Sequence, residues 1–171
     1  MENLGIVNNR NIEYLNVRSD LNWIDSLPNE KWIVFTIADF GDEELLNEAT
    51  MKCLDKNVLY TCSAGQLASE TEAYFDQEIA WREYQNNEST GVPCNFDKWP
   101  MTTSHQNFGE GFWFCTSVAY PTINDCYLLV DTVVCLDITS EGMKQNIINL
   151  VAQINNGWLP SDHEVSNSKL R

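Results

Sequence analysis

A histidine and three hydroxyl residues stand together in the segment Met101–His105, which reads Met-Thr-Thr-Ser-His. Thr102, Thr103 and Ser104 lead directly to His105, one of two histidines in the chain. A histidine at the end of a strand can act as a general base, because its ring titrates near neutral pH. A histidine there also commonly caps the following helix or makes a buried hydrogen bond. The segment predicts a binding edge and leaves both roles of His105 open.

Two residues with nucleophilic side chains, Cys62 and Ser63, lie just before Gly65. A thiol or hydroxyl at a strand-to-helix turn can be activated by the helix N-terminus or by a neighbouring base. A serine-hydrolase elbow requires glycine where this chain has Thr61, and a cysteine-phosphatase loop requires an arginine that residues 66–68 do not supply. The incomplete patterns favour a structural turn over a nucleophile.

Metal and phosphate sites are also incomplete in the sequence. The cysteines show no C-x-x-C spacing, and His105 has no histidine three or four residues away. Asp39, Asp42, Glu43 and Glu44 carry the oxygens that Mg²⁺ prefers, but acidic residues at a helix start are expected from the helix dipole alone. No glycine-rich phosphate loop follows a predicted strand. We predict no metal and no cofactor.

The charge of the chain is strongly acidic, with 25 acidic against 10 basic residues and a formal net charge of −15. Such a surface repels nucleic acids and anionic membranes, so we predict that neither is a partner. It attracts basic proteins, although acidity also serves solubility. A basic protein is the candidate partner, and the oligomeric state stays open.

The length and the cysteines bear on domain organisation and location. A chain of 171 residues predicts one domain, with a core at about 11–156 and a loose tail at 157–171 that includes a surface His163. The N-terminus lacks the basic and apolar segments of a secretion signal, and no apolar run approaches the roughly 18 residues of a membrane span. Six cysteines without close pairing fit a reducing compartment. We expect a cytoplasmic protein.

The elements that must position these residues alternate between strands and helices. The predicted strands are Asn11–Val17 at an edge, Trp32–Ala38 at the centre, Val58–Cys62, Met101–Thr103 and Thr132–Ile138. The predicted helices are Asp42–Lys56 with Asp42 as N-cap, Ser69–Tyr84 with the capping box Ser69/Glu72, Phe108–Ala119 with a strand over Phe112–Tyr120 as its alternative, and Ser140–Asn155. This order predicts an α/β fold: a Rossmann-like three-layer sandwich around a mainly parallel sheet.

Ligands in such folds usually bind beyond the carboxyl ends of the strands. The polar residues expected to converge there are Asp39, Ser63, Gln66, Ser104, His105 and Asp137. Trp99 lies in a predicted long loop, Gln85–Pro100, and is the candidate anchor of an interface. The predicted binding residues are Thr102, Thr103, Ser104, His105, Gln66 and Trp99.

The segment Met101–His105, followed by Glu110 and Phe112-Trp113-Phe114, resembles a motif of an uncharacterised bacterial α/β domain family. In that family, Met-Thr-Thr-Trp-His precedes an acidic helix that contains Phe-Trp-Phe. The similarity extends from about Trp32 to Ile154, and this chain departs from the motif at Ser104. The resemblance implies the α/β fold, draws attention to His105, Thr102 and Thr103, and implies no particular activity.

Three functional hypotheses follow. The leading one is a non-enzymatic, acidic interaction protein, such as a bacterial immunity or antitoxin-like protein, that neutralises a basic partner with its acidic surface and the loop Gln85–Pro100. A second is a small hydrolase or transferase-like enzyme with His105 as general base. In it, the orienting residue is Asp39 or Asp76 and the nucleophile is Cys62 or Ser63. A third is a small-molecule sensor that uses the same edge.

Overall fold

The computed structural model describes residues 1–41, 43–123 and 126–161. These residues form eight strands: β1 Glu2–Val7, β2 Arg10–Asn16, β3 Trp32–Ile37, β4 Tyr60–Ala64, β5 Met101–His105, β6 Thr122–Ile123, β7 Cys126–Tyr127 and β8 Thr132–Asp137. They also form five α-helices: α1 Trp23–Ser26, α2 Glu43–Asp55, α3 Ala68–Thr90, α4 Phe108–Ser117 and α5 Lys144–Asn155. None of these helices is long and apolar enough to cross a lipid bilayer.

Six of the strands form one sheet in the order β1-β2-β8-β3-β4-β5. Strand β1 is antiparallel to β2, and every other neighbouring pair is parallel. Strands β6 and β7 pair with each other in a separate hairpin. The mixed α/β fold with a mainly parallel sheet is therefore confirmed.

The edge position predicted for Asn11–Val17 is wrong, because β1 pairs outside it. Asn8 and Asn9 both have positive φ, as the two central residues of a tight hairpin turn require, and they connect β1 to β2. Strand β1 escaped prediction because Gly5 interrupts its alternation of apolar and polar residues.

The core consists of two apolar clusters, which share the central strand β3. Ile33 and Phe35 belong to the cluster that includes residues of α4 and α5. Trp32 and Val34 belong to the cluster that includes residues of α1, α2 and α3. Every residue of β3 is buried, which explains why this segment is apolar on both of its faces.

Helix α3 differs at both ends from its predicted bounds. It begins after Leu67, and no side chain caps its first turn, so the predicted capping box is wrong. It continues to Thr90 and ends at Gly91, whose φ of +71° suits glycine. The predicted loop Gln85–Pro100 is therefore helical in its first part, and it contains a short 3-10 helix at Phe96–Lys98.

The bounds of other predicted strands and helices differ less from the observed ones. Strand β4 ends at Ala64, two residues later than predicted, so Cys62 and Ser63 lie inside a strand and not in a turn. The segment Phe108–Ser117 is helical, which settles the alternative of a strand there. The predicted N-cap Asp42, the histidine His163 and the tail from residue 162 onward lie outside the described residues.

Candidate functional site

Strand β5 is the last strand of the sheet, and it separates the predicted site residues into two sets. It pairs with β4 in the register Thr102 with Thr61 and His105 with Ala64. Side chains alternate between the two faces of a sheet. Thr102 and Ser104 therefore face α3, whereas Thr103 and His105 face α4.

On the α4 face, His105 is only 5% exposed. Its ring centre lies 4.8 Å from that of Phe114. Neither ring nitrogen has a hydrogen-bond partner among the described residues. Burial lowers the pKa of His105 to about 4, so the ring is neutral near pH 7.

Close packing of α4 against β4 and β5 keeps this face of His105 closed. A Cβ atom added at Gly111 would lie 3.0 Å from the Cβ of His105 and 3.3 Å from that of Ala64. Thr103 donates a hydrogen bond of 3.3 Å to the Thr61 carbonyl.

The sulfur atoms next to this face are buried as well. Cys62 is fully buried and hydrogen-bonds with Cys115 of α4. Burial raises the pKa of the Cys115 thiol, which donates a weak hydrogen bond to the Val34 carbonyl at 3.9 Å. Both thiols are shielded from solvent, whereas a reactive cysteine is usually at least partly exposed.

The other candidates lie at separate places. Ser63 is fully buried on the α3 side of the sheet, and its hydroxyl has no partner among the described residues. Asp39 and Gln66 follow the carboxyl ends of neighbouring strands, as predicted. Their two loops approach closely, since a Cβ atom at Gly65 would lie 2.9 Å from the Ala38 carbonyl oxygen. Asp137 is buried and accepts hydrogen bonds from Thr139 and the Met143 amide.

On the α3 face, both β5 hydroxyls contact carboxylates. Thr102 donates to Asp76 at 2.7 Å, and Ser104 donates to Glu72 at 2.5 Å. Glu72 and Asp76 are four residues apart on α3, so they share one side of the helix. Within the described part of the chain, neither carboxylate forms an ion pair with a lysine or arginine. Sequence reasoning missed this role of Glu72 because it assigned that residue to a capping box.

A cleft of about 460 Å³ opens beside this pair of hydroxyl and carboxylate contacts. It is lined by Asp76, Ile79, Phe96, Trp99, Pro100, Met101 and Thr102, and we call it the α3 cleft. Phe96 and Met101 are more than half exposed, while Trp99 packs partly against the core. The structure thus brings together three predicted residues, Asp76, Trp99 and Thr102.

The segment that walls the α3 cleft is held in place by one buried carboxylate. Glu83 accepts hydrogen bonds from Lys98 Nζ at 2.5 Å, from the Asn95 amide at 2.7 Å and from Trp99 Nε1 at 2.8 Å. The hydrogen bond from Lys98, followed by those from Asn95 and Trp99, lowers the pKa of Glu83 to about 2. The signal that points to Glu83 in the sequence is its helical spacing of four from the buried Ile79.

The structure does not place His105 next to the hydroxyl and carboxylate pairs of the α3 face. The hydroxyl and carboxylate pairs lie on the opposite face of β5 from His105, whose ring has no hydrogen-bond partner among the described residues. In the same residues, no group of three or more His, Cys, Asp or Glu side chains is placed to hold a metal ion. An anionic carboxylate beside aromatic and aliphatic walls can accept a cation with an apolar stem.

A comparison with known protein families places this chain. No curated protein and no solved structure gives a significant match. One family model, described as a domain of unknown function, matches residues 12–154. This match agrees with the resemblance to an uncharacterised family. The chain therefore belongs to the family named Domain of unknown function (DUF7684).

Proposed function

We propose that this protein is a non-enzymatic interaction protein that binds a basic segment of a partner protein in the α3 cleft, in the manner of a bacterial immunity or antitoxin-like protein. One observation carries the proposal. The carboxylate of Asp76 is oriented by Thr102 at the wall of a 460 Å³ cleft, and no cation of the described residues is paired with it. A partner's lysine or arginine supplies the missing charge.

The walls of the cleft favour a long basic side chain over a small cation. Trp99 and Phe96 offer aromatic faces, which attract cations electrostatically. Ile79 and Met101 offer apolar surface to the aliphatic stem that lysine and arginine both carry. Lys98 shows that the indole of Trp99 accepts such a contact, since its ammonium lies 5.6 Å from the ring centre.

Charge supports the same partner at longer range. The net charge of −15 accelerates the encounter with a basic protein, and this attraction weakens as salt is added. We further infer a Rossmann-like three-layer arrangement from the apolar clusters on the two sides of the sheet. Six free cysteines suit a reducing cytoplasm, where we place the protein.

Calorimetric titration with an arginine-containing peptide tests the proposal. Asp76→Asn removes the cleft charge and is expected to weaken peptide binding about tenfold at low salt. Asp97→Asn is the matched control, because Asp97 is an exposed carboxylate of the neighbouring 3-10 helix that does not line the cleft. We expect the control to weaken binding less than about twofold, because Asp97 lies outside the cleft and reaches the peptide only through screened, longer-range attraction.

Two results would count against the proposal. Equal losses for Asp76→Asn and Asp97→Asn would show that the peptide responds to overall charge and not to the cleft. An affinity that does not change between low and high salt would show that charge does not drive binding.

A further inference from the structure

The two edges of the sheet differ in how they are protected. Exposed edge strands offer free backbone groups to other chains, and proteins commonly blunt them with bulges and charged side chains. Edge strand β1 has both devices: its register shifts between Asn3 and Gly5, and Glu2 forms an ion pair with Lys144. Strand β1 is therefore a poor template for another strand.

Edge strand β5 lacks these devices. All five residues of Met101–His105 pair with β4 in an unbroken register. The strand carries no aspartate, glutamate, lysine or arginine, and its histidine is neutral near pH 7. Thr102, Thr103 and Ser104 are partly exposed. Within the described residues, no strand pairs with the outer side of β5, so this side offers backbone hydrogen-bonding groups.

The carboxylates next to β5 have the spacing of alternate strand residues. Thr102 and Ser104 are two residues apart, which is about 6.6 Å along a strand. Their partners Asp76 and Glu72 are four residues apart on α3, which is about 6 Å along a helix. A strand added beside β5 would therefore present alternate side chains to two carboxylates at matching intervals.

We propose that the partner's basic segment binds as an extended strand along β5, with lysine or arginine at two alternate positions that face Glu72 and Asp76. This inference rests on the proposed function and specifies the conformation and the spacing of the ligand. An added strand lies about 4.8 Å from β5, so long basic side chains can reach back to both carboxylates. Backbone hydrogen bonds give affinity, and the two charges fix the register.

Three nine-residue peptides of threonine and two arginines test the conformation. One has its arginines at alternate positions, one has them adjacent, and one repeats the alternating sequence with alternate backbone amides methylated. We expect the alternating peptide to bind about tenfold more tightly than either of the others. Hydrogen exchange should slow at alternate amides of Met101–His105 when the alternating peptide is bound.

A pair of variants on α3 tests the spacing. Glu72→Gln keeps an acceptor for Ser104 but removes the charge. It should lower the affinity for the alternating peptide about fivefold, to a value close to the affinity for the adjacent peptide. Glu70→Gln is the control, since Glu70 is an exposed carboxylate in the first turn of the same helix. It should change neither affinity more than about twofold.

The outcomes separate this inference from the proposed function. If alternating and adjacent peptides bind equally and β5 amides exchange as before, while Asp76→Asn still weakens binding, the cleft binds a basic segment that is not a strand. If no peptide binds, the proposed function fails. If β5 amides are already protected in concentrated free protein that sediments as a dimer, a second copy occupies the edge and the inference is overturned.

Discussion

Both faces of β5 carry polar side chains, but the surroundings of these side chains differ between the two faces. On the α4 face, His105 is buried against Phe114 with no hydrogen-bond partner among the described residues. On the α3 face, Thr102 and Ser104 hold carboxylates of α3 beside an open cleft. The comparison shows that odd and even positions along β5 differ in surroundings: His105 packs against α4, whereas Thr102 and Ser104 contact carboxylates of α3.

Burial of His105 without a hydrogen-bond partner among the described residues lowers stability on the α4 face, and the hydroxyls of Thr102 and Ser104 on the α3 face avoid this loss. A buried polar group without a partner loses about 1–3 kcal/mol relative to its hydrated state. Apolar packing offsets this cost, since Phe112 and Cys115 of the same helix are fully buried. On the α3 face, hydroxyl and carboxylate satisfy each other, and they remain accessible to a ligand.

The largest expected difference between the two faces is in the pH dependence of stability, to which His105 on the α4 face contributes. The ring has a folded-state pKa of about 4 against an ordinary value of 6.5. Between pH 6.5 and 4 the unfolded chain therefore binds more protons at this histidine than the folded chain does. The contribution of neutral His105 to the free energy of unfolding is complete above pH 6.5 and is lost as the pH falls toward 4. We expect a loss of about 3 kcal/mol in the free energy of unfolding across this window.

Urea denaturation at several pH values measures this loss. His105→Leu should flatten the profile between pH 6.5 and 4, whereas His163→Gln, which removes the only other histidine of the sequence, should keep the slope. The low pKa of Glu83 acts in a lower window, between its ordinary value of 4.5 and about 2. A slope in His105→Leu equal to that of the original protein would show that His105 is not the group responsible.

The second effect concerns the close approach of α4 to β5. Gly111→Ala places a Cβ atom 3.0 Å from the Cβ of His105, an atom that cannot move without its backbone. We expect a loss of about 1–2 kcal/mol in stability despite the higher helix propensity of alanine. Gly109→Ala on the same helix is the control, because its new Cβ meets the far ends of side chains such as Trp158.

Thermal or urea unfolding of the two alanine variants decides the point. The control should be neutral or stabilised by up to about 1 kcal/mol, since its contacts, at 3.2 Å or more, are longer than the 3.0 Å contact at Gly111 and alanine favours the helix. Equal stability of the two variants would mean that the packing of α4 on His105 is looser than the distances indicate.

The sequence predicts the central elements well and the division of β5 poorly, for physical reasons. Trp32–Ile37 is buried on both faces, so composition alone identifies it as a central strand. The faces of β5 depend on which helix covers which side, and this is set by chain crossovers that residue spacing does not encode. Glu83 escaped prediction because its three partners belong to the segment Asn95–Trp99, which follows the helix and folds back onto it.

The variant with the smallest expected effect on stability gives the clearest test of which face of β5 binds the peptide. Thr102→Val removes the hydroxyl that orients Asp76 and keeps the shape of the side chain. Because this hydrogen bond is exposed, stability should fall by less than about 1 kcal/mol, while affinity for the alternating arginine peptide should fall about threefold.

Thr103→Val is the matched control for Thr102→Val, with the same substitution one residue further along β5. Thr103 faces α4, where it donates to the Thr61 carbonyl at 3.3 Å and hydrogen-bonds with Tyr60, so the control should leave peptide affinity unchanged. Equal losses of affinity in the two valine variants would show that peptide binding depends on both faces of β5 and not on the α3 face alone. A loss confined to Thr102→Val, measured by calorimetry at constant salt, would assign recognition to the side of β5 that faces α3.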